Sequence, residues 1–187
     1  PYINLSLQWN KEKKKLLPLI EKVFQKGNYV GGEEIKKFEK NISNICHTKY
    51  AVALNSGTDA LLLALHLAGV KRGDEVITPP NSFIASTSVI VHLGAKPIFV
   101  DVLPDQNINP DLIERAITKK TKAIMPVHLT GRVCEMNKIM NLSKKYNIPI
   151  IEDAAQSVGS KLNNKMSGSF GNLGCFSAHP LKNLNGC

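Results

Sequence analysis

Three short stretches hold side chains that could act together on a small anionic ligand. In the first, Ser56-Gly57-Thr58 falls between an apolar run and a helical pattern. Backbone N–H groups and the helix dipole at such a junction favour a phosphate. Gly57 would let the backbone come close, and the Thr58 hydroxyl could add a donor. An ordinary N-cap, with Ser56 or Thr58 closing the first turn, explains the same residues. In the second, Asp153 ends the apolar stretch that starts at Ile148. A carboxylate at a buried strand end is costly unless something cationic meets it. A protonated heteroaromatic nitrogen would do so, and a helix N-cap is the alternative. Gln156 comes three residues later and lies near Asp153 if the turn is helical. In the third, Ser177 and Lys182 are five residues apart, close enough to share one phosphate-bearing ligand. A lysine in such a stretch is ordinarily a solvated surface group. To form an imine it must be partly desolvated or near other cations, so that a neutral amine exists.

These residues need a frame that brings them to one rim. Apolar spacing predicts helices over residues 10–26, 33–46, 59–68, 83–92, 110–117 and 135–146. The first of these, with Leu16, Leu17, Ile20, Val23 and Phe24 on one face, is closed by Gly27-Asn28. Short apolar runs predict strands at 51–54, 75–78, 97–100, 122–125, 148–151 and 174–177. Continuous apolar strands between helices imply a sheet covered on both faces. In such sheets ligands settle beyond the carboxyl ends of the strands. That rim collects residues 55–58, the 78–83 loop, His128, Asp153 and Ser177.

Length and composition narrow the class further. The 187 residues, 43% of them hydrophobic, suit one domain of ordinary size or a large piece of a bigger one. No apolar run reaches the roughly eighteen residues a membrane span needs. The start, Pro1-Tyr2-Ile3-Asn4, shows no basic stretch leading into an apolar one, and its lack of a methionine predicts that a natural N-terminus is missing. Cys46, Cys134, Cys175 and Cys187 lack metal-type spacing and are expected to be free thiols in a reducing, cytoplasmic setting; no metal is expected. The net charge of +9, carried largely by clusters such as Lys11 to Lys15 and Lys119 to Lys122, predicts solvated faces with some attraction to anionic ligands. Neither aromatic interleaving nor a recognised motif points to nucleic acid.

Taken in order and spacing, Asn55-Ser-Gly-Thr-Asp59, Glu152-Asp-Ala-Ala-Gln-Ser157 and Cys175-Phe-Ser-Ala-His-Pro-Leu-Lys-Asn183 resemble the DegT/DnrJ/EryC1/StrS family of sugar aminotransferases. The resemblance runs from about Gly31 to Cys187 and includes Gly73-Asp-Glu-Val-Ile-Thr-Pro79, Leu93-Gly-Ala-Lys-Pro97, Thr121-Lys-Ala-Ile124 and Pro126-Val-His-Leu129. It implies an α/β fold: the three-layer αβα large domain of the aspartate aminotransferase kind (pyridoxal phosphate fold type I), with a mostly parallel central sheet, truncated before a small C-terminal domain. Residues 1–30 are then an N-terminal helical segment and 31–187 an incomplete cofactor-binding domain.

The resemblance also implies roles. Lys182 carries pyridoxal 5′-phosphate as an imine and moves the proton of the 1,3-shift. Ser177, Gly57 and Thr58 bind its phosphate. Asp153 pairs with the pyridinium nitrogen, Gln156 contacts the ring hydroxyl, and Phe83 stacks on the ring unless it is a core residue opening its helix. The implied reaction moves an amino group from an amino acid, usually glutamate, to a keto carbon of a nucleotide-linked sugar, within a homodimer that shares its active sites. Amination at C3 and at C4 stay open. Alternatives are a dehydratase of the same family, which has histidine where Lys182 stands here, and a non-catalytic carrier or regulatory fragment.

Overall fold

Four-residue apolar strands separated by helices can pair only in parallel, because each return needs a crossover. The computed structural model, which describes residues 3–27 and 29–186, shows that arrangement. Helices α1 (Leu5–Lys26), α2 (Glu33–Cys46) and α3 (Gly57–Leu67) come first. Then β1 (Glu75–Thr78), α4 (Ile84–His92), β2 (Lys96–Phe99), α5 (Pro110–Ala116), β3 (Thr121–Ile124), α6 (Met136–Tyr146) and β4 (Ile151–Asp153) alternate. A two-residue hairpin, β5 (Lys161–Leu162) with β6 (Lys165–Met166), precedes β7 (Leu173–Cys175).

Strands β2, β1 and β3 form one parallel group, and β4 and β7 another. Parallel bridges Ile124–Ile150 and Val127–Asp153 join them, giving the continuous order β2-β1-β3-β4-β7. The period-2 alternation of a strand sends successive side chains to opposite faces. Val76, Ala123, Met125, Ile151 and Cys175 pack with Leu61, Leu65, Val89 and Ile90 of α3 and α4. Ile77, Ile124 and Ile150 pack with Ile113 of α5 and Met136 and Ile139 of α6. The result is three layers, with helices on both faces of the sheet. Each fully buried aliphatic side chain contributes roughly 1.5–3 kcal/mol.

Three expectations need correction. Ala51–Leu54 forms no strand: no described residue pairs with it, Val52 is 74% exposed, and the Ala53 N–H is taken instead by the Glu39 carboxylate at 2.8 Å. The predicted strand at 148–151 lies at 151–153, so Glu152 and Asp153 are strand residues. The first helix begins at Leu5, where the Asn4 side chain accepts the Leu7 N–H, and no residue in it is buried, so its apolar stripe has no core to enter among the described residues. Its last turn ends on Gly27 in a left-handed conformation; Asn28, the other half of the predicted stop, lies outside the described residues, as do Pro1, Tyr2 and Cys187. Cys46, Cys134 and Cys175 are buried free thiols. Among the described residues, no helix is long and apolar enough to cross a membrane.

Candidate active site

The chain leaves β1 toward β2 on the face of α4 and returns past β1 to β3 on the face of α5. Strand order therefore reverses between β1 and β3, the position at whose carboxyl end ligands settle in open α/β sheets. Thr78 closes β1 there, its hydroxyl donating to the Met125 carbonyl at 3.0 Å.

The start of α3 presents free backbone donors. Ser56 is the N-cap, and its Oγ accepts the Asp59 N–H at 3.1 Å. The N–H groups of Gly57 and Thr58 have no acceptor within the helix. Gly57 faces the segment after β7 at close range. A Cβ on it would stand 2.9 Å from the Ser177 Cβ, 3.1 Å from the Phe176 carbonyl oxygen and 3.3 Å from the Ser177 Oγ. Ser177 Oγ accepts the His179 N–H at 3.3 Å, which leaves its own proton to donate. Two backbone donors, a hydroxyl and a helix N-terminus thus meet where the lack of a side chain at 57 lets α3 approach Ser177 closely, a donor set that fits a phosphate.

Asp153 is 5% exposed at the end of β4, on the face of α3 and α4. Its Oδ2 accepts from Ser86 Oγ at 2.6 Å and its Oδ1 from the Ala155 N–H at 3.2 Å. The second bond closes a local turn; residues 154–160 form turns and no helix, so the helix N-cap that the sequence allowed as an alternative is not formed. A carboxylate oxygen accepts more than one bond, so Oδ2 keeps a lone pair for a cationic ring nitrogen. Cys175, on the neighbouring strand, is pushed up to about 12 by burial and then by the charges of Asp153 and Glu152, so its thiol stays protonated.

Lys182 belongs to a turn held by its N–H on the His179 carbonyl at 2.8 Å. Its Nζ stands 5.6 Å from the centroid of the Phe83 ring. Phe83 caps α4 and is 62% exposed, so it is an open platform rather than a core residue. Its carbonyl accepts the Ser86 N–H at 3.1 Å. The contacts therefore close into a chain: Gly57 on Ser177, Ser177 on His179, His179 on Lys182, Lys182 on Phe83, and Phe83 through Ser86 to Asp153. The Cys175 carbonyl completes it by accepting the Ala154 N–H at 2.8 Å.

Gln156 sits in the turn after Asp153, but its side chain reaches elsewhere: Oε1 accepts the Thr130 N–H at 3.1 Å. Thr130 is left-handed, with φ of 54°, so the bond secures an uncommon backbone. With Oε1 engaged, the amide presents Nε2 and its two protons to other partners.

Residues missed by sequence reasoning are Ser86, Ser82, Thr130 and the His128–Glu152 pair. Glu152 faces away from the site and is fully buried. It accepts the Gly168 N–H at 2.8 Å, the Gly171 N–H at 2.6 Å and His128 Nε2 at 2.9 Å. His128 Nδ1 accepts the Cys134 N–H at 3.2 Å, so the ring proton is on Nε2. This pair ties the loop before β7 to β4, and His128, expected on the rim, serves the scaffold instead. Ser86 did carry a signal: it is a hydroxyl on the buried stripe of an apolar helix.

The chain belongs to the DegT/DnrJ/EryC1/StrS aminotransferase family, whose model matches residues 10–187. It is 40% identical, over its whole length, to UDP-2-acetamido-2-deoxy-3-oxo-D-glucuronate aminotransferase of Pseudomonas aeruginosa and covers 52% of that protein. It is also 40% identical to a Geobacillus stearothermophilus protein named pleiotropic regulatory protein, over 98% of this chain and 50% of that one. Its fold superposes on Streptomyces venezuelae DesV, solved with a ketimine intermediate, with a TM-score of 0.95 and 36% identity, covering 100% of this chain and 50% of that one. The chain thus spans about half the length of the relatives it matches.

Proposed function

We propose that the protein carrying this chain transfers an amino group from an amino acid, glutamate by preference, to the keto group of a nucleotide-linked sugar, with pyridoxal 5′-phosphate as cofactor. The observation that carries this reading is the chain of contacts that links Gly57, Ser177, Lys182, Phe83 and Asp153 around one rim. In this reading the Gly57 and Thr58 N–H groups and the Ser177 hydroxyl hold the phosphate. Asp153 faces the ring nitrogen, Phe83 covers one face of the ring, and Gln156 offers Nε2 to the ring hydroxyl. Lys182 anchors the cofactor, then takes a proton from the substrate carbon and returns it one position along. When bound, the cofactor supplies an electron-accepting ring that lowers the cost of removing that proton.

The donor product leaves before the sugar binds, so double-displacement kinetics are expected. The 3-oxo sugar named for the P. aeruginosa relative supports amination at C3. Residues 1–30 act in this reading as a helical segment apart from the cofactor-binding domain at 31–187. A homodimer with shared active sites is part of the same proposal, supported by exposed apolar side chains such as Val52, Ile84 and Leu67. A cytoplasmic location accords with the buried free thiols.

The test is the purified protein with glutamate and a panel of 3-keto and 4-keto nucleotide sugars. A 3-amino sugar nucleotide with parallel double-reciprocal plots is expected. Cofactor binding without amino transfer to any acceptor would favour a regulatory role instead, the reading that the name of the G. stearothermophilus relative supports.

A further inference from the structure

Asp153 does not stand alone at the end of β4. Its Oδ2 receives the Ser86 hydroxyl at 2.6 Å, and Ser86 Oγ lies 2.7 Å from Ser82 Oγ. The direction of this pair is fixed by chemistry. An ionised carboxylate can only accept, so the Ser86 proton goes to Asp153. Ser86 Oγ must then accept from Ser82, and the protons run Ser82 to Ser86 to Asp153. Ser86 is fully buried among Ala85, Val89 and Ile90, so its hydroxyl has no water to turn to. Ser82 is next to Phe83, the residue that meets Lys182 Nζ. One six-residue segment, 81–86, thus holds both the aromatic platform and the two hydroxyls behind the carboxylate.

We infer that Ser86, seconded by Ser82, is a positioning residue: it fixes the rotamer of Asp153 so that the carboxylate faces the ring nitrogen of the bound cofactor. The inference rests on the pyridoxal phosphate reading above and deepens it. Without the Ser86 hydroxyl, the Asp153 side chain keeps, among the described residues, the bond from Ala155 on Oδ1 alone and is free to turn about its side-chain torsions. Without Ser82, Ser86 keeps its bond to Asp153 but loses the polarisation of a hydroxyl chain.

The test compares two cofactors on the intact protein: pyridoxal 5′-phosphate, and its 1-deaza analogue, in which a carbon replaces the ring nitrogen. Dissociation constants come from absorbance titration, and melting curves are recorded for each variant. Wild type should prefer the natural cofactor, and Asp153→Asn should abolish the preference. Ser86→Ala should cut the preference roughly tenfold, the loss of one hydrogen bond to a charged group, with affinity for the deaza analogue unchanged. Ser86→Thr, which keeps the hydroxyl, should restore it. Ser82→Ala, at a partly exposed site, should cut it by a smaller factor without lowering the melting temperature. A merely structural Ser86 would weaken both cofactors equally, and that result overturns the inference. So does an unchanged preference in Ser86→Ala when Asp153→Asn has lost it, which leaves the cofactor reading intact. A wild type that binds neither compound removes the cofactor reading itself, and this inference with it.

Discussion

Replacing Gly57 with alanine should close the phosphate cradle while leaving the fold in place. Carbon atoms in contact settle about 3.5–4.0 Å apart, so a Cβ held 2.9 Å from the Ser177 Cβ is roughly 0.6–1.1 Å too near. The Phe176 carbonyl, 3.1 Å from the same point, is backbone and cannot swing aside. Relief must come from a shift of Ser177 or of the first turn of α3, the two groups proposed above to supply the phosphate donors. A shift of that size stretches a hydrogen bond past its useful range. A bond to a charged group contributes about 1.5–3 kcal/mol, so losing one weakens cofactor binding roughly 10- to 150-fold. Folding feels opposing effects: crowding costs about 1–3 kcal/mol, and alanine in place of glycine in a helix returns up to about 1 kcal/mol. Titration with pyridoxal 5′-phosphate and melting of the cofactor-free protein separate the two quantities. Affinity within threefold of wild type in a folded Gly57→Ala variant would refute the argument.

Three further predictions concern the scaffold. Glu152→Gln turns one carboxylate oxygen into a donor, and every partner of Glu152 is itself a donor: the Gly168 and Gly171 N–H groups and His128 Nε2. Either orientation of the amide leaves donors facing each other, which costs about 2–4 kcal/mol; chemical denaturation measures this, and a change under 1 kcal/mol would contradict the buried arrangement. Burial raises the Cys134 and Cys175 thiols to about 12, so neither should react with iodoacetamide at pH 8 until the protein unfolds. The linkage has a definite sign. The unfolded thiols ionise near pH 9 and the folded ones do not, so the unfolded state binds fewer protons and stability falls as pH rises from 9 toward 12. Each thiol contributes a loss of about 1.4 kcal/mol per pH unit over that window, readable as the pH dependence of the denaturation midpoint.

The layered fold was legible because its signal is local. Val76 and Ile77, or Ile150 and Ile151, are apolar in succession, and only a strand covered on both faces demands that. Ala51–Leu54 carries the same signal and is no strand, because a strand also requires a neighbour, and no described residue supplies one. Lys182, Asp153, Gly57 and Ser177 were singled out through the family pattern, and contacts between elements far apart in sequence link them along one rim. What escaped was pairing: the Ser86 hydroxyl reaches a carboxylate 67 residues away, and Gln156 bonds to a backbone group 26 residues back. Strand parity could have separated Glu152 from Asp153, since Asp153 shares the face of Ile151 and Glu152 does not. That parity needs the strand boundary, which the sequence placed three residues early.

The central claim is that Lys182 is the amine that holds the cofactor. Borohydride reduction of the protein with pyridoxal 5′-phosphate, followed by peptide mass spectrometry, tests it directly. A stable pyridoxyl mass is expected on the peptide containing Lys182 and none in Lys182→Ala. A label of equal yield on another lysine, or tight binding that leaves Lys182 unmodified, would contradict it.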